Sequence, residues 1–167
     1  MYNSYKLYII AMAANRIRIA KDKADLVKSL TLSDNKTGPF QTYADVIAFA
    51  AALGNKRKKR SPLGEISKRE PGAIDLDIFV SRGYDMAIKL IAIAETKNPQ
   101  ILSHLDAELE AKRLQIFEEY ANGGLEILRE EFRGAADYTD RLLLFLITER
   151  DKQERSTEEF DLSKFLF

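Results

Sequence analysis

The chain has 167 residues, no cysteine, and 26 basic against 26 acidic side chains. That length makes one domain with a sizeable core. The missing cysteines exclude a disulfide framework and a thiolate zinc site, and an apolar share of 46% argues against a disordered chain.

The charges balance in total but not along the chain. Residues 1–70 hold 14 of the basic and 6 of the acidic side chains, a surplus of eight positive charges matched by eight negative ones in residues 71–167. Such a dipolar chain has two explanations: a nucleic-acid-facing end with a protein- or solvent-facing end, or two halves that attract each other.

Residues 1–14 read as an N-terminal extension. The apolar run Leu7–Ala14 falls far short of the ~18 residues a membrane helix needs, and its flanks suit a signal peptide poorly. A cytoplasmic protein with no membrane partner is expected. Residues 15–155 read as a single helical domain, with a basic, DNA-facing part at 15–60 and an acidic helical part at 75–155.

Residues 15–19, NRIRI, alternate polar and apolar with the period of a half-buried strand. Arg16 and Arg18 share one face of it, Ile17 and Ile19 the other. Residues 22–30 predict a helix with Ala24, Leu26, Val27 and Leu30 on its apolar side. The Asp, Asn, Gly and Pro of residues 33–39 predict a loop.

The stretch from Phe40 to Leu53 predicts a buried, alanine-rich helix. Thr42 can cap it, with Asp45 three residues on as a capping box. Small residues allow close approach of a second helix, and Gly54 stands where a left-handed C-cap is wanted. Lys56, Arg57, Lys58, Lys59 and Arg60 follow at once. This run is either a solvated loop at the helix's negative end or a loop that contacts phosphates.

Strand, helix, loop and helix within about 45 residues is the order of a ribbon-helix-helix start. There Arg16 and Arg18 would point outward toward base edges or phosphates, with Asn15 beside them. Backbone amides near Thr42 and Tyr43 would hold a phosphate at the helix start. The alternative for Arg16 and Arg18 is a surface strand with two solvated arginines.

Residues 61–74 carry two prolines and two glycines and predict a linker or an arm lying over the surface. A short helix at 75–80, closed by Arg82-Gly83, leads into a helix at 84–96. The latter shows little polar face and is expected at the centre of the core. A short helix at 99–105 precedes a long charged pattern over 106–133, which Asn122-Gly123-Gly124 interrupts. Two glycines cost about 2 kcal/mol inside a helix relative to alanine. A break, a tight turn or close contact with another backbone is expected there. Residues 137–155 form the last helix. The tail 156–167 ends in Phe165, Leu166 and Phe167, apolar enough to dock on the core or on another subunit.

Little catalytic chemistry is visible. The one histidine, His104, excludes a bundle-type di-metal site and reads as a packing or solvated residue. No glycine-rich phosphate loop of Walker or dinucleotide type appears. Glu65 and Lys68 resemble a nuclease acid–lysine pair, but their spacing is one residue too wide. Glu118, Glu119, Glu130 and Glu131 read as solvated helix faces. No metal, cofactor or catalytic residue is expected.

Several stretches together resemble the accessory proteins of bacterial DNA phosphorothioation (Dnd) gene clusters. They are RIRIAKDKADLVKSL at 16–30, GPFQTYADVIAFAAALGNKRKKR at 38–60, SRGYDMAIKLIAIAETKNPQIL at 81–102 and FEEYANGGLEILREEFRGAADYTDRLLLFL at 117–146. The first 60 residues are also similar to the small helical DNA-binding subunit of the Dnd modification complex, which opens with an Arg-Ile-Arg strand followed by helices. The acidic half has no counterpart in that subunit.

The resemblance implies a non-catalytic, DNA-binding accessory protein of a phosphorothioate modification or restriction system. Its partners would be DNA, other Dnd proteins and further copies of itself. The phosphate contacts would fall to Arg16, Arg18, Lys21, Thr42, Lys56, Arg57, Lys58, Lys59 and Arg60. The alternative is an adaptor within the same complex that makes no direct DNA contact.

Overall fold

The computed structural model describes residues 15–32 and 38–158, with side chains to Lys152. The expected N-terminal extension and the Phe165–Phe167 end of the tail lie outside the described residues.

The fold is mainly α, as the sequence predicts. In chain order it runs β1 (Arg16–Ile17), a 3-10 turn at Lys21–Lys23, α1 (Ala24–Leu30), α2 (Tyr43–Lys56) and β2 (Ile74–Asp75). Then come α3 (Leu76–Ser81), α4 (Asp85–Thr96), a 3-10 turn at Pro99–Leu102, α5 (Ala107–Glu131) and α6 (Tyr138–Glu158).

The centre is the crossing of α2 and α5. Helix α2 buries Ala44, Val46, Ile47, Ala48, Ala50, Ala51, Leu53 and Gly54, so its apolar, small-residue composition becomes contact on several sides. Helix α5 runs unbroken through Asn122-Gly123-Gly124. Of the three expectations for those glycines, close contact with another backbone is the outcome. A Cβ on Gly124 would stand 1.8 Å from the Ala50 carbonyl oxygen, and one on Gly123 2.0 Å from that of Lys59.

Gly54 is part of the same seam, since a Cβ there would stand 2.1 Å from the Tyr120 carbonyl oxygen. It is therefore not the expected C-cap. The helix continues to Lys56, and the left-handed residue beyond its end is Lys58, at φ 54°.

The alternation of residues 15–19 appears as predicted: Ile17 and Ile19 are fully buried while Arg16 and Arg18 face outward. The strand itself is only two residues long. It pairs antiparallel with β2 of the same chain, Arg16 against Asp75 and Ile17 against Ile74. Residues 61–74 are the arm that carries β2 there. The amides of Lys21 and Ser67 donate to the carbonyls of Glu65 and Ile19, both at 2.8 Å, and tie the arm down.

Phe79 of α3 meets Phe117 of α5 edge-on, with ring centres 5.8 Å apart, and both are fully buried. Helix α4 packs on α5 with one face only. Ile88, Ile91 and Ala92 are buried, whereas Met86 and Leu90 are exposed. The expectation of a central helix is corrected, because no described element covers its second apolar side.

The basic residues and the carboxylates that meet them

Each cation singled out in the sequence can be followed to its surroundings. Arg18 leaves the end of β1 toward α5 and grips Glu118. Its Nη2 lies 2.6 Å from Oε2 and its Nε 3.0 Å from Oε1, and its backbone N–H donates to Oε1 at 2.7 Å. The Glu118 side chain is only 1% exposed. The hydrogen bond to Glu118 holds the Arg18 guanidinium above its ordinary pKa. Arg16 pairs with Asp75 across the ribbon at 2.7 Å, and Lys21 with Glu65 of the arm at 2.8 Å.

The run 56–60 is dispersed among acids in the same way. Arg60 donates to Glu95 at 2.6 Å and to Glu119 at 2.7 Å. The Tyr120 hydroxyl donates to the second oxygen of Glu95 at 2.5 Å. The Tyr120 and Arg60 hydrogen bonds hold the Glu95 carboxyl below its usual range. Lys59 pairs with Glu126 at 3.1 Å. Lys56 and Arg57 both reach Glu149 of α6, Lys56 at 3.6 Å. Lys152 lies 3.4 Å from the same carboxylate. Burial works against ionisation of Glu149, but Arg57, Lys152 and Lys56 outweigh it and its pKa falls. Lys58 forms no ion pair among the described residues and is exposed.

Thr42 caps α2 as the sequence predicts, in a complete capping box. Its amide donates to Asp45 Oδ2 at 2.9 Å, and the Asp45 amide donates to the Thr42 hydroxyl oxygen at 3.3 Å. Arg82 donates to Asp45 through Nε at 2.7 Å and Nη2 at 2.9 Å, and the Tyr84 hydroxyl donates at 2.7 Å. Burial alone would raise the Asp45 pKa, but the bonds from Tyr84, Arg82 and Thr42 win and lower it. An anion already sits at this helix start, and it is the protein's own.

The pattern accounts for the lopsided charge distribution. Glu118, Glu119 and Glu126 on α5, Glu95 on α4 and Glu149 on α6 receive the basic residues of the first 60 positions. The attraction of the two halves within one chain is realised. Glu118 and Glu119 are accordingly not the solvated face expected of them, because Arg18 and Arg60 fold over them. Sequence reasoning also passed over Glu149. Its signal was its place on the buried stripe of α6, a turn beyond Phe145 and two beyond Leu142.

The turn at 56–58 is the exception to neutrality. One carboxylate, Glu149, stands among Lys56, Arg57 and Lys152, and Lys58 is beside them in sequence. Lys56 and Arg57 keep half and more than a third of their side-chain surface in solvent.

A cleft of about 560 Å³ opens between the Lys21–Lys23 turn, the arm at 62–65 and α5. Lys23 is buried at its edge, between Asp22 and Glu126. Asn122 donates to the carbonyls of Ser61 and Pro62 at 3.3 and 2.8 Å, while its Oδ1 is without a partner among the described residues. Among the described residues no group of three or more His, Asp or Glu side chains is placed to hold a metal ion. His104 is exposed.

These features define a small, mainly helical protein whose acidic half clasps its basic half, with no described helix long and apolar enough to cross a membrane. The family model of DNA sulphur modification system-associated protein 4 matches residues 16–165, and the chain belongs to that family. Its setting is therefore a DNA sulphur modification system. No curated protein and no solved structure matches the chain.

Proposed function

We propose that this chain is a non-catalytic accessory protein that serves its DNA sulphur modification system through protein contacts. In this reading the turn at Lys56, Arg57 and Lys58 meets an acidic surface of another component of the system. One observation carries it: most of the cations that could have gripped DNA are already bound to carboxylates of the same chain. Contact with DNA at Arg18 would also strip Glu118 of its counter-charge, and a buried charge without a partner is costly.

The test is co-purification with the other proteins of the system after nuclease treatment. Retention by the wild type, and loss in a Lys56→Gln, Arg57→Gln, Lys58→Gln variant, supports the reading. A chain that recovers its partners only when DNA is intact overturns it.

A second reading keeps direct DNA contact, through Arg16, Arg18, Lys21, Thr42 and Lys56 to Arg60. The surplus of cations around Glu149 favours it. Each phosphate contacted contributes about 0.9 to the slope of log affinity against log salt. A gel-shift series from about 50 mM salt upward therefore counts the contacts. A steep slope, up to about seven if all eight of these cations neutralise phosphates, supports this reading, whereas the adaptor reading expects no specific complex.

A further inference from the structure

The cleft between the Lys21–Lys23 turn, the arm and α5 is lined on the α5 side by Asn122, whose surroundings follow from the glycine seam. Gly123 brings the backbone at Lys59 onto α5, so the arm leaves past Asn122. The Ser61 amide is fixed there by the Glu119 carbonyl at 3.0 Å. The Asn122 side-chain nitrogen is committed to the arm, donating to the carbonyls of Ser61 and Pro62. Exchanging the nitrogen and oxygen of this amide would set oxygen against two carbonyl oxygens, so its orientation is determined. The oxygen is then the end with unused capacity. Asn122 is 4% exposed, and its Oδ1 accepts no hydrogen bond among the described residues. A buried acceptor of this kind calls for a donor.

Two neighbours in the cleft wall have capacity to spare as well. Lys23 is buried and carries three N–H donors. It donates to Asp22, while Glu126 Oε1, at 3.9 Å, is beyond hydrogen-bond reach. Glu126 stands one helical turn after Asn122 on the same face. Its Oε2 meets Ser61 Oγ and Lys59 Nζ, each at 3.1 Å, and its Oε1 accepts no hydrogen bond among the described residues. Two acceptors, one of them anionic, therefore lie beside a cation with donors left over.

The cleft walls carry both signs of charge, Lys21 and Lys23 against Asp22, Glu65 and Glu126. A simple anion or a simple cation would meet like charge there. A molecule with an ammonium and a carboxylate on one carbon meets opposite charge at both ends. We infer that the cleft binds a free α-amino acid as its zwitterion. The ammonium donates to Asn122 Oδ1 and Glu126 Oε1, and the carboxylate accepts from Lys23 Nζ. At about 560 Å³ the cleft exceeds this head group and leaves room for a side chain beside Pro62 and Leu63. No residue of the site belongs to the Lys56–Lys58 turn, so its failure would leave the adaptor reading standing.

The full-length protein, labelled with 15N, is titrated near pH 7 with glycine and then with each proteinogenic L-amino acid, all zwitterions there. The Asn122 side-chain amide is followed by NMR. Glycine is expected to shift that signal saturably, with a dissociation constant on the order of 1 mM, and amino acids with larger side chains to bind more tightly. Acetate lacks the ammonium and methylammonium lacks the carboxylate, so each should bind at least about tenfold more weakly than glycine. Glu126→Gln and Lys23→Met should each weaken glycine binding about tenfold. The Glu126 side chain is a quarter exposed, so Glu126→Gln keeps the fold, as circular dichroism would register. The comparison of glycine with acetate and methylammonium needs no variant at all.

No saturable shift with any amino acid up to about 50 mM overturns the inference and leaves Asn122 Oδ1 to a bound water. Acetate or methylammonium binding as tightly as glycine overturns it too, since the site would then read one charge and not two. So does a glycine affinity unchanged in folded Glu126→Gln, because the ammonium would be held elsewhere.

Discussion

Arg18 and Glu118, 100 positions apart in the chain, form a forked ion pair with one partner in solvent and the other in the core. The two sides of such a pair are not equivalent. Removing the arginine leaves a buried carboxylate with a single backbone donor, whereas removing the glutamate's charge leaves a guanidinium that water can reach. Arg18→Ala is therefore expected to cost about 3 kcal/mol and Glu118→Gln about 2 kcal/mol or less. Replacing both by methionine should recover part of the loss, because a buried pair exchanged for apolar groups of similar size is often neutral. Denaturant unfolding of the four proteins measures this. A larger loss for Glu118→Gln than for Arg18→Ala would contradict the geometry.

The glycine seam between α2 and α5 makes a prediction of opposite sign to helix propensity. Gly→Ala at an open helical position stabilises by roughly 1 kcal/mol. At Gly124 the new methyl would lie 1.8 Å from the Ala50 carbonyl oxygen, and at Gly54 2.1 Å from the Tyr120 carbonyl oxygen. Backbone stands in the way at both places, and no side chain can swing aside. Each substitution should force the helices apart and lose about 3 kcal/mol or more, the scale of an overpacked core. Thermal melts of Gly54→Ala and Gly124→Ala decide it, and a melting temperature unchanged in either would show that the helices do not touch there.

Much of this fold could be read ahead of the coordinates, for physical reasons that differ by element. The capping box at Thr42 and Asp45 is a local motif closed within four residues, so sequence suffices. The alternation at 15–19 gave the inward isoleucines correctly, since side-chain direction on a strand depends on parity alone. For Gly123-Gly124 the sequence left three outcomes open, and only the position of Ala50 on a distant helix selected one. The candidate surface was less legible. A row of cations in sequence shows charge but not counter-charge, and Glu95, Glu118, Glu126 and Glu149 come from three different helices. Gly54 misled because a glycine near a helix end serves equally as a C-cap or as a contact point.

Acid should weaken the protein through a small set of carboxylates. Asp45, Glu95 and Glu149 all have pKa values below the ordinary 3.8 and 4.5 of Asp and Glu. Asp45 and Glu149 are lowered against the effect of burial. A carboxyl whose folded pKa is depressed contributes stability that is present above its unfolded value and disappears as pH falls through the folded value. The melting temperature should stay level from neutral pH to about 5 and drop below about 4. Asp45→Asn should flatten part of that drop while lowering the plateau, because it removes the anion that Arg82, Tyr84 and Thr42 share. A plateau extending unchanged to pH 3 would rule out these carboxylates as contributors.

Glu149 has the widest consequences of the five acids, because three cations lean on one carboxylate that α6 supplies. Glu149→Gln keeps the shape and the packing beside Phe145 but takes away the one counter-charge that Lys56, Arg57 and Lys152 have among the described residues. Two effects are expected together. Helix α6 loses its polar tie to the end of α2, so amide hydrogen exchange in 142–152 should accelerate while that of the α2–α5 seam does not. The turn also gains one net positive charge, so binding of a plain polyanion such as heparin at low salt should tighten, with a salt slope steeper by about one unit. Combining Glu149→Gln with Lys56→Gln and Arg57→Gln should cancel the gain in polyanion binding and leave the exchange effect in place. Tighter binding that survives the triple substitution would mean that the polyanion is held by other residues than Lys56 and Arg57.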